Sequence, residues 1–149
     1  LEAFRPVAGR LAMLRAASGA AVIDDSYNAN PDSVRAAIDV LAGAPAPRWL
    51  VLGDMGEVGA DGPAFHREAG AYARAAHIDR LLTTGALAAE SAAAFGEGAE
   101  HFVSVNALAA HVAATARAGA TILVKGSRFM RMERVVAALC GPTFREGAH

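Results

Sequence analysis

Residues 20–33 read AAVIDDSYNANPDS. An apolar strand, Ala21-Val22-Ile23, runs into two carboxylates, Asp24 and Asp25. The polar turn Ser26-Tyr27-Asn28-Ala29-Asn30 follows, and Pro31-Asp32-Ser33 opens a helix. Proline suits a first helical turn because the N–H it lacks would have no partner there, and Asn30 just before it can accept from free helix amides. Strand, polar turn and helix start make one βα unit, and in a parallel α/β sheet ligands bind outside the carboxyl ends of the strands. Local spacing leaves a second reading open, an ordinary βα loop whose Asx residues only cap a helix.

The same alternation continues on both sides of this stretch. Leu11–Arg15 reads as a strand, and Ser18-Gly19 as a turn into the strand Ala21–Ile23. Val34, Ile38 and Leu41 fall on one helical face. Gly43 to Pro47 is a breaker cluster. Trp49-Leu50-Val51-Leu52 is an apolar run with no polar alternation, as expected of a strand buried on both faces. A helix over Gly62–Ala76 places Phe65, Ala69, Tyr72 and Ala76 along one stripe. Strands at Ile78–Thr83, His101–Val103 and Thr121–Val124 alternate with helices at Ala86–Phe95, Ala107–Arg117 and Arg131–Leu139. Residues 1–10 read as a linker or an incoming strand, and the tail from Thr143 as frayed. The pattern predicts an α/β, Rossmann-like fold, a mostly parallel sheet with helices on both faces, as one domain over residues 1–149.

Composition excludes several classes of function. The net charge is −1 and aromatic residues make up 6%, so there is no basic footprint for nucleic acid. Cys140 is the one cysteine, which leaves neither a disulfide framework nor a cysteine-rich zinc site. The histidines have no partners at metal-ligand spacing, so no metal site is expected. His66, inside a helix, reads as a packed or capping side chain. No run approaches the roughly 18 to 20 apolar residues that span a bilayer. A soluble cytoplasmic protein without membrane insertion is the expectation.

Parallel topology gathers the residues that follow each strand along one sheet edge. These are Asp24-Asp25 with Asn28 and Asn30, then Gly53-Asp54-Met55-Gly56-Glu57, Thr83-Thr84-Gly85, and Lys125-Gly126-Ser127-Arg128. The opposite edge, with loops Gly43–Arg48 and Ala118–Ala120, is mostly Gly, Ala and Pro. Lys125 and Arg128, placed just before a helix, suit a carboxylate or phosphate. Their alternative is solvated surface charge. Asp54 and Glu57 stand in a glycine-punctuated loop where backbone can approach a ligand. The alternative there is a turn with helix-capping acids, which suits Glu57 the better of the two. No GxxxxGK[ST] phosphate loop, GxGxxG or GxSxG occurs.

Three motifs together, DDSYNANPDS at 24–33, VLGDMGE at 51–57 and LVKGSR at 123–128 with Met132-Glu133, resemble the C-terminal domain of the Mur ligases. The likeness runs from Gly9-Arg10-Leu11 to about Leu139 and is strongest to the branch that adds D-alanyl-D-alanine. It implies the third domain of an ATP- and Mg2+-dependent ligase whose N-terminal and central, nucleotide-binding domains lie elsewhere. The partners implied are D-alanyl-D-alanine, a UDP-N-acetylmuramoyl-tripeptide and the central domain. By resemblance, Arg10 and Asp25 would contact ATP, while Asn28, Asn30, Lys125, Ser127 and Arg128 would line the dipeptide pocket. Arg128 or Lys125 is expected to pair the dipeptide's carboxylate, and Asp54 to meet its ammonium group or shape the loop. No catalytic residue and no magnesium ligand is expected in this chain, which alone should bind no cofactor and be silent. Two rivals remain: another Mur or folylpolyglutamate-type ligase domain, and a non-catalytic α/β binding module.

Overall fold

The computed structural model describes residues 11–141; Arg10 lies outside them. Its strands are β1 (Ala12–Arg15), β2 (Ala21–Asp25), β3 (Arg48–Leu52), β4 (Arg80–Thr84), β5 (Ala99–Phe102) and β6 (Thr121–Lys125). The helices are α1 (Pro31–Ala42), α2 (Gly62–Ala75), α3 (Ala88–Phe95), α4 (Val105–Thr115) and α5 (Glu133–Cys140). The strands form one sheet in the order β1-β2-β6-β3-β4-β5. Only β1 is antiparallel to its neighbour, because the Ser18-Gly19 turn is too short for a crossover.

Consecutive apolar residues in β2, β3 and β6 demand cover on both faces, since side chains alternate across a strand. Val22, Val51 and Val124 face α4 and α5, whose Leu108, Val112 and Val136 complete that layer. Ile23, Leu50, Leu52 and Leu123 face the other way, onto Ile38 and Leu41 of α1 and Ala73 of α2. Each fully buried Leu or Ile here is worth about 1.5–3 kcal/mol relative to exposure.

Strand β6, last in the chain, inserts between β2 and β3. Beyond β2 the chain therefore crosses one face through α1, while beyond β6 it crosses the other through α5. The loops diverge at the carboxyl ends of these two neighbouring strands, which is the switch point where open α/β sheets bind ligands.

Several elements differ from expectation in a physically informative way. On α2 the most deeply buried positions are Gly62, His66, Gly70 and Ala73, whereas Phe65, Ala69, Tyr72 and Ala76 are partly buried beside them. The cause is α3, which packs closely on α2 and shifts the buried stripe. β5 spans Ala99–Phe102 and leaves Val103 95% exposed, because Ser104 caps α4 by accepting from the Ala107 N–H. After Arg128 the chain makes a 3-10 turn, and α5 begins only at Glu133. The amides of Met130 and Arg131 are consumed by the carbonyls of Ser127 and Arg128. No α-helix N-terminus therefore follows the Lys125–Arg128 loop directly.

Met132 fills the space between the loops that follow β3 and β6. A Cβ on Gly126 would lie 2.5 Å from Met132 Cγ, and one on Gly53 would lie 2.9 Å from its Sδ. Gly126→Ala is accordingly expected to lower stability by about 1–3 kcal/mol through overpacking. Urea unfolding of the chain checks this, and an unchanged midpoint would mean that Met132 can retreat freely.

Candidate functional site

Asp25 and Lys125 close adjacent strands in direct register. Both point to the α1 side of the sheet, following the alternation set by Ile23 and Leu123. Lys125 Nζ donates to Asp25 Oδ2 at 2.9 Å and to the Asn28 carbonyl at 2.9 Å. The two side chains are 2% and 11% exposed. Burial without a partner would be costly for either ion, and their mutual pairing removes that penalty.

Around this pair the loops are tied together through their backbones. Gly53 N–H donates to the Lys125 carbonyl, Ser127 N–H to the Asp54 carbonyl, and Gly56 N–H to the Ala29 carbonyl. His66 fixes the Gly53–Glu57 loop from below. Met55 N–H donates to His66 Nε2 at 3.0 Å, so the ring proton sits on Nδ1, which donates to the Gly62 carbonyl at 2.7 Å. Ser26 donates from both Oγ and N–H to Asp24 Oδ1, which folds the first polar turn. Asn30 then caps α1, its Oδ1 accepting from Ser33 N–H at 2.8 Å while Ser33 Oγ accepts from Asn30 N–H at 2.9 Å.

Together the loops enclose a cleft of about 620 Å3 lined by Asn28, Ala29, Asn30, Gly56, Glu57, Ser127, Arg128 and Phe129. Ser127 is 2% exposed, and its buried hydroxyl has no hydrogen-bond partner among the described residues. A buried orphan hydroxyl calls for an explanation, and a polar ligand in the cleft supplies one. The Arg128 guanidinium lies 5.0 Å from the centre of the half-exposed Tyr27 ring, and Phe129 projects into solvent at the rim. Behind the cleft a smaller cavity of 290 Å3 runs between Asp25, Lys125, Asn28, Asn30 and Ser33 and an apolar wall that includes Leu11, Ala37 and Leu123.

The family model of the Mur ligase, glutamate ligase domain, matches residues 9–128. The chain belongs to the Mur ligases. It is 44% identical over 141 residues to the UDP-N-acetylmuramoyl-tripeptide–D-alanyl-D-alanine ligase of Escherichia coli K12, covering 93% of this chain and 31% of that protein. The Bacillus subtilis enzyme of the same name is 37% identical over 141 residues, covering 87% and 30%. This chain thus spans about a third of the length of these curated relatives. A crystal structure of MurF from Acinetobacter baumannii matches with a TM-score of 0.78 at 28% identity, over 89% of this chain and 30% of that one. The fold also matches that of the Thermotoga maritima MurF ligase in complex with ADP, with a TM-score of 0.78 at 24% identity, over 98% and 33%.

Within this Mur ligase domain, Asn28, Asn30, Ser127 and Arg128 meet on the cleft, although a hundred residues separate the first loop from the last. Asp25 and Lys125 stand together behind it, so Lys125 is buried against Asp25 and Asn28 and Arg128 is the exposed cation of the loop. Asp54 does not reach the cleft. Its Oδ1 accepts from Leu87 N–H at 3.1 Å and Ala88 N–H at 2.7 Å, at the start of α3. Gly85, at φ 106°, leaves room for that carboxylate where any side chain would strike it. Asp54 is therefore the helix-binding acid of its loop, and Glu57, which the sequence suited to that part only slightly better, is the one on the cleft wall. Glycine at 53 admits Met132 rather than a ligand.

Sequence reasoning gave no part to Phe129 or Tyr27, although both adjoin residues it singled out. His66 was placed as a packed or capping side chain, and its ring does pack fully, yet nothing local signalled that it holds the cleft's loop.

Lys125→Met is expected to destabilise the chain by about 3–5 kcal/mol, because it takes the ammonium partner away from a buried carboxylate. Asp25→Leu combined with Lys125→Met should recover most of that loss in denaturant unfolding. Failure of the double variant to recover would mean that Lys125 acts mainly through the Asn28 carbonyl.

Proposed function

We propose that this chain is the third, closing domain of an ATP-dependent amide ligase that joins D-alanyl-D-alanine to a UDP-N-acetylmuramoyl-tripeptide in peptidoglycan synthesis. The observation that carries the reading is the cleft, where an exposed guanidinium, two carboxamides and an orphan buried hydroxyl meet at the switch point of the sheet. That donor set suits a short peptide with a free carboxylate. Curated relatives of 37% to 44% identity bear this ligase's name, which supports the same choice.

In this reading Arg128 takes the dipeptide's carboxylate, since a guanidinium binds carboxylate through paired N–H donors. Ser127 donates its unused hydroxyl to the peptide, and Asn28 and Asn30 present carboxamides along its length. Lys125 positions: it holds the Asn28 carbonyl and Asp25 in place. Asp25 supplies an acceptor on the wall of the 290 Å3 cavity and fits the ATP ribose, with apolar side chains opposite for a flat group. Arg10 is assigned to the nucleotide phosphates. Magnesium is assigned to groups outside this chain. ATP converts the tripeptide's terminal carboxylate to an acyl phosphate, and the dipeptide amine displaces phosphate to form the amide. This domain's part is to carry the amine, orient it and exclude water from a hydrolysable intermediate as it closes on the central domain. A reaction that uses ATP and a UDP-linked substrate belongs in the cytoplasm.

The ligase that contains this chain should release phosphate from ATP and UDP-N-acetylmuramoyl-tripeptide only when D-alanyl-D-alanine is present. Turnover with a single amino acid instead would keep the family and sink the substrate. Absence of turnover with every amine tested would favour a binding module. Arg128→Ala should raise the dipeptide KM by about tenfold or more, the scale of one charge-assisted hydrogen-bond pair, with the ATP KM nearly unchanged. Equal rises in both constants would remove Arg128 from the carboxylate.

A further inference from the structure

We infer that Glu57 is the residue that binds the ammonium group of the incoming amine substrate, so that the cleft reads a zwitterion at both ends. The inference rests on the dipeptide reading of the cleft and assigns the end of the substrate for which Asp54, expected either to meet it or to shape the loop, was the first candidate.

Three observations converge. Among the described residues lining the cleft, Glu57 is the one carboxylate and Arg128 the one cation. Neither has an ion-pair partner among the described residues. Asp54, by contrast, is 8% exposed and committed to two amides of α3.

The backbone presents Glu57 from a left-handed turn, a conformation shared by His77 and Arg131. At Glu57 φ is 56°, a left-handed conformation that non-glycine residues seldom adopt. Such geometry persists where the surroundings over-determine it, and it concentrates at ligand sites. Here the surroundings are explicit. Met55 is held by His66 Nε2, and Gly56 by the Ala29 carbonyl, so the chain reaches Glu57 already fixed on its N-terminal side. Glycine occurs at 53, 56 and 59 in this loop, yet the left-handed position at 57 carries a glutamate. A carboxylate on an anchored, exposed loop offers a protonated amine a directed charge-assisted contact. Across the cleft, Arg128 engages the opposite charge.

The test uses the ligase that carries this domain, with D-alanyl-D-alanine as substrate and propanoyl-D-alanine, the same molecule without its amino group, as competitive inhibitor. Glu57→Gln keeps shape and removes charge. Glu57→Gly removes the carboxylate while easing the left-handed backbone, so loss of affinity in that variant does not arise from misfolding. Both should raise the dipeptide KM by about tenfold, the scale of a charge-assisted hydrogen bond, and leave inhibition by propanoyl-D-alanine within about twofold of wild type. Equal weakening of substrate and inhibitor would make Glu57 a loop-shaping residue and overturn the assignment. No change in either would overturn it as well. A wild-type ligase that does not consume the dipeptide overturns the reading of the cleft first, and that outcome is separately visible before any variant is made.

Discussion

A lysine and an aspartate buried side by side, Lys125 and Asp25, form the constraint on which the rest of this domain depends. Neither ion can be buried alone, and at 2.9 Å each removes the other's penalty. Because desolvation offsets much of the attraction, what the pair supplies is register more than net stability. A one-residue slip of β6 against β2 would turn Lys125 to the face of α4 and α5, among apolar side chains. The pair thus fixes which side chains of β6 face α1, and with them the height at which the Lys125–Arg128 loop leaves the sheet.

From that fixed height the other loops follow. The carbonyl of Lys125 takes the Gly53 amide, the carbonyl of Asp54 takes the Ser127 amide, and the Asn28 carbonyl returns to the Lys125 ammonium. Met132 wedges between glycines 53 and 126, so the β3 and β6 loops share one packing core. His66 and Asp54 extend the same scheme outward, His66 to the amide of Met55 and Asp54 to the first turn of α3. A site on loops gains rigidity in this way without being part of a strand or helix, and a pocket held so is suited to orienting a nucleophile.

Much of this was legible in the chain. Consecutive apolar residues in Trp49–Leu52 and Thr121–Val124 suit doubly buried strands, and Pro31 after Asn30 suits a first helical turn, so the βα alternation and the edge where the polar loops gather followed from local physics. The parts assigned to individual acids did not. Asp54 and Glu57 are three residues apart in one loop, and local spacing cannot say which of them meets α3, a helix that begins more than thirty residues later. The orphan state of Ser127 is equally invisible until the surroundings of its hydroxyl exist. The 3-10 turn at Arg128–Met130 also escaped notice, since Phe129 and Met130 continue an apolar pattern that suits either helix type.

The sequence by itself determined the fold class, the edge of the sheet where the polar and charged loops gather and, through three motifs in order, the Mur ligase family. Those properties are local or cumulative: apolar runs, caps, turn residues and motif order need no knowledge of what lies across the molecule. Tertiary structure alone decided that β6 lies between β2 and β3, that Lys125 is spent on Asp25 and so leaves Arg128 outward, and that Glu57 rather than Asp54 stands on the cleft. Each of these depends on a partner tens of residues away, and a side chain's role in a site is set by which of its possible partners reaches it in space.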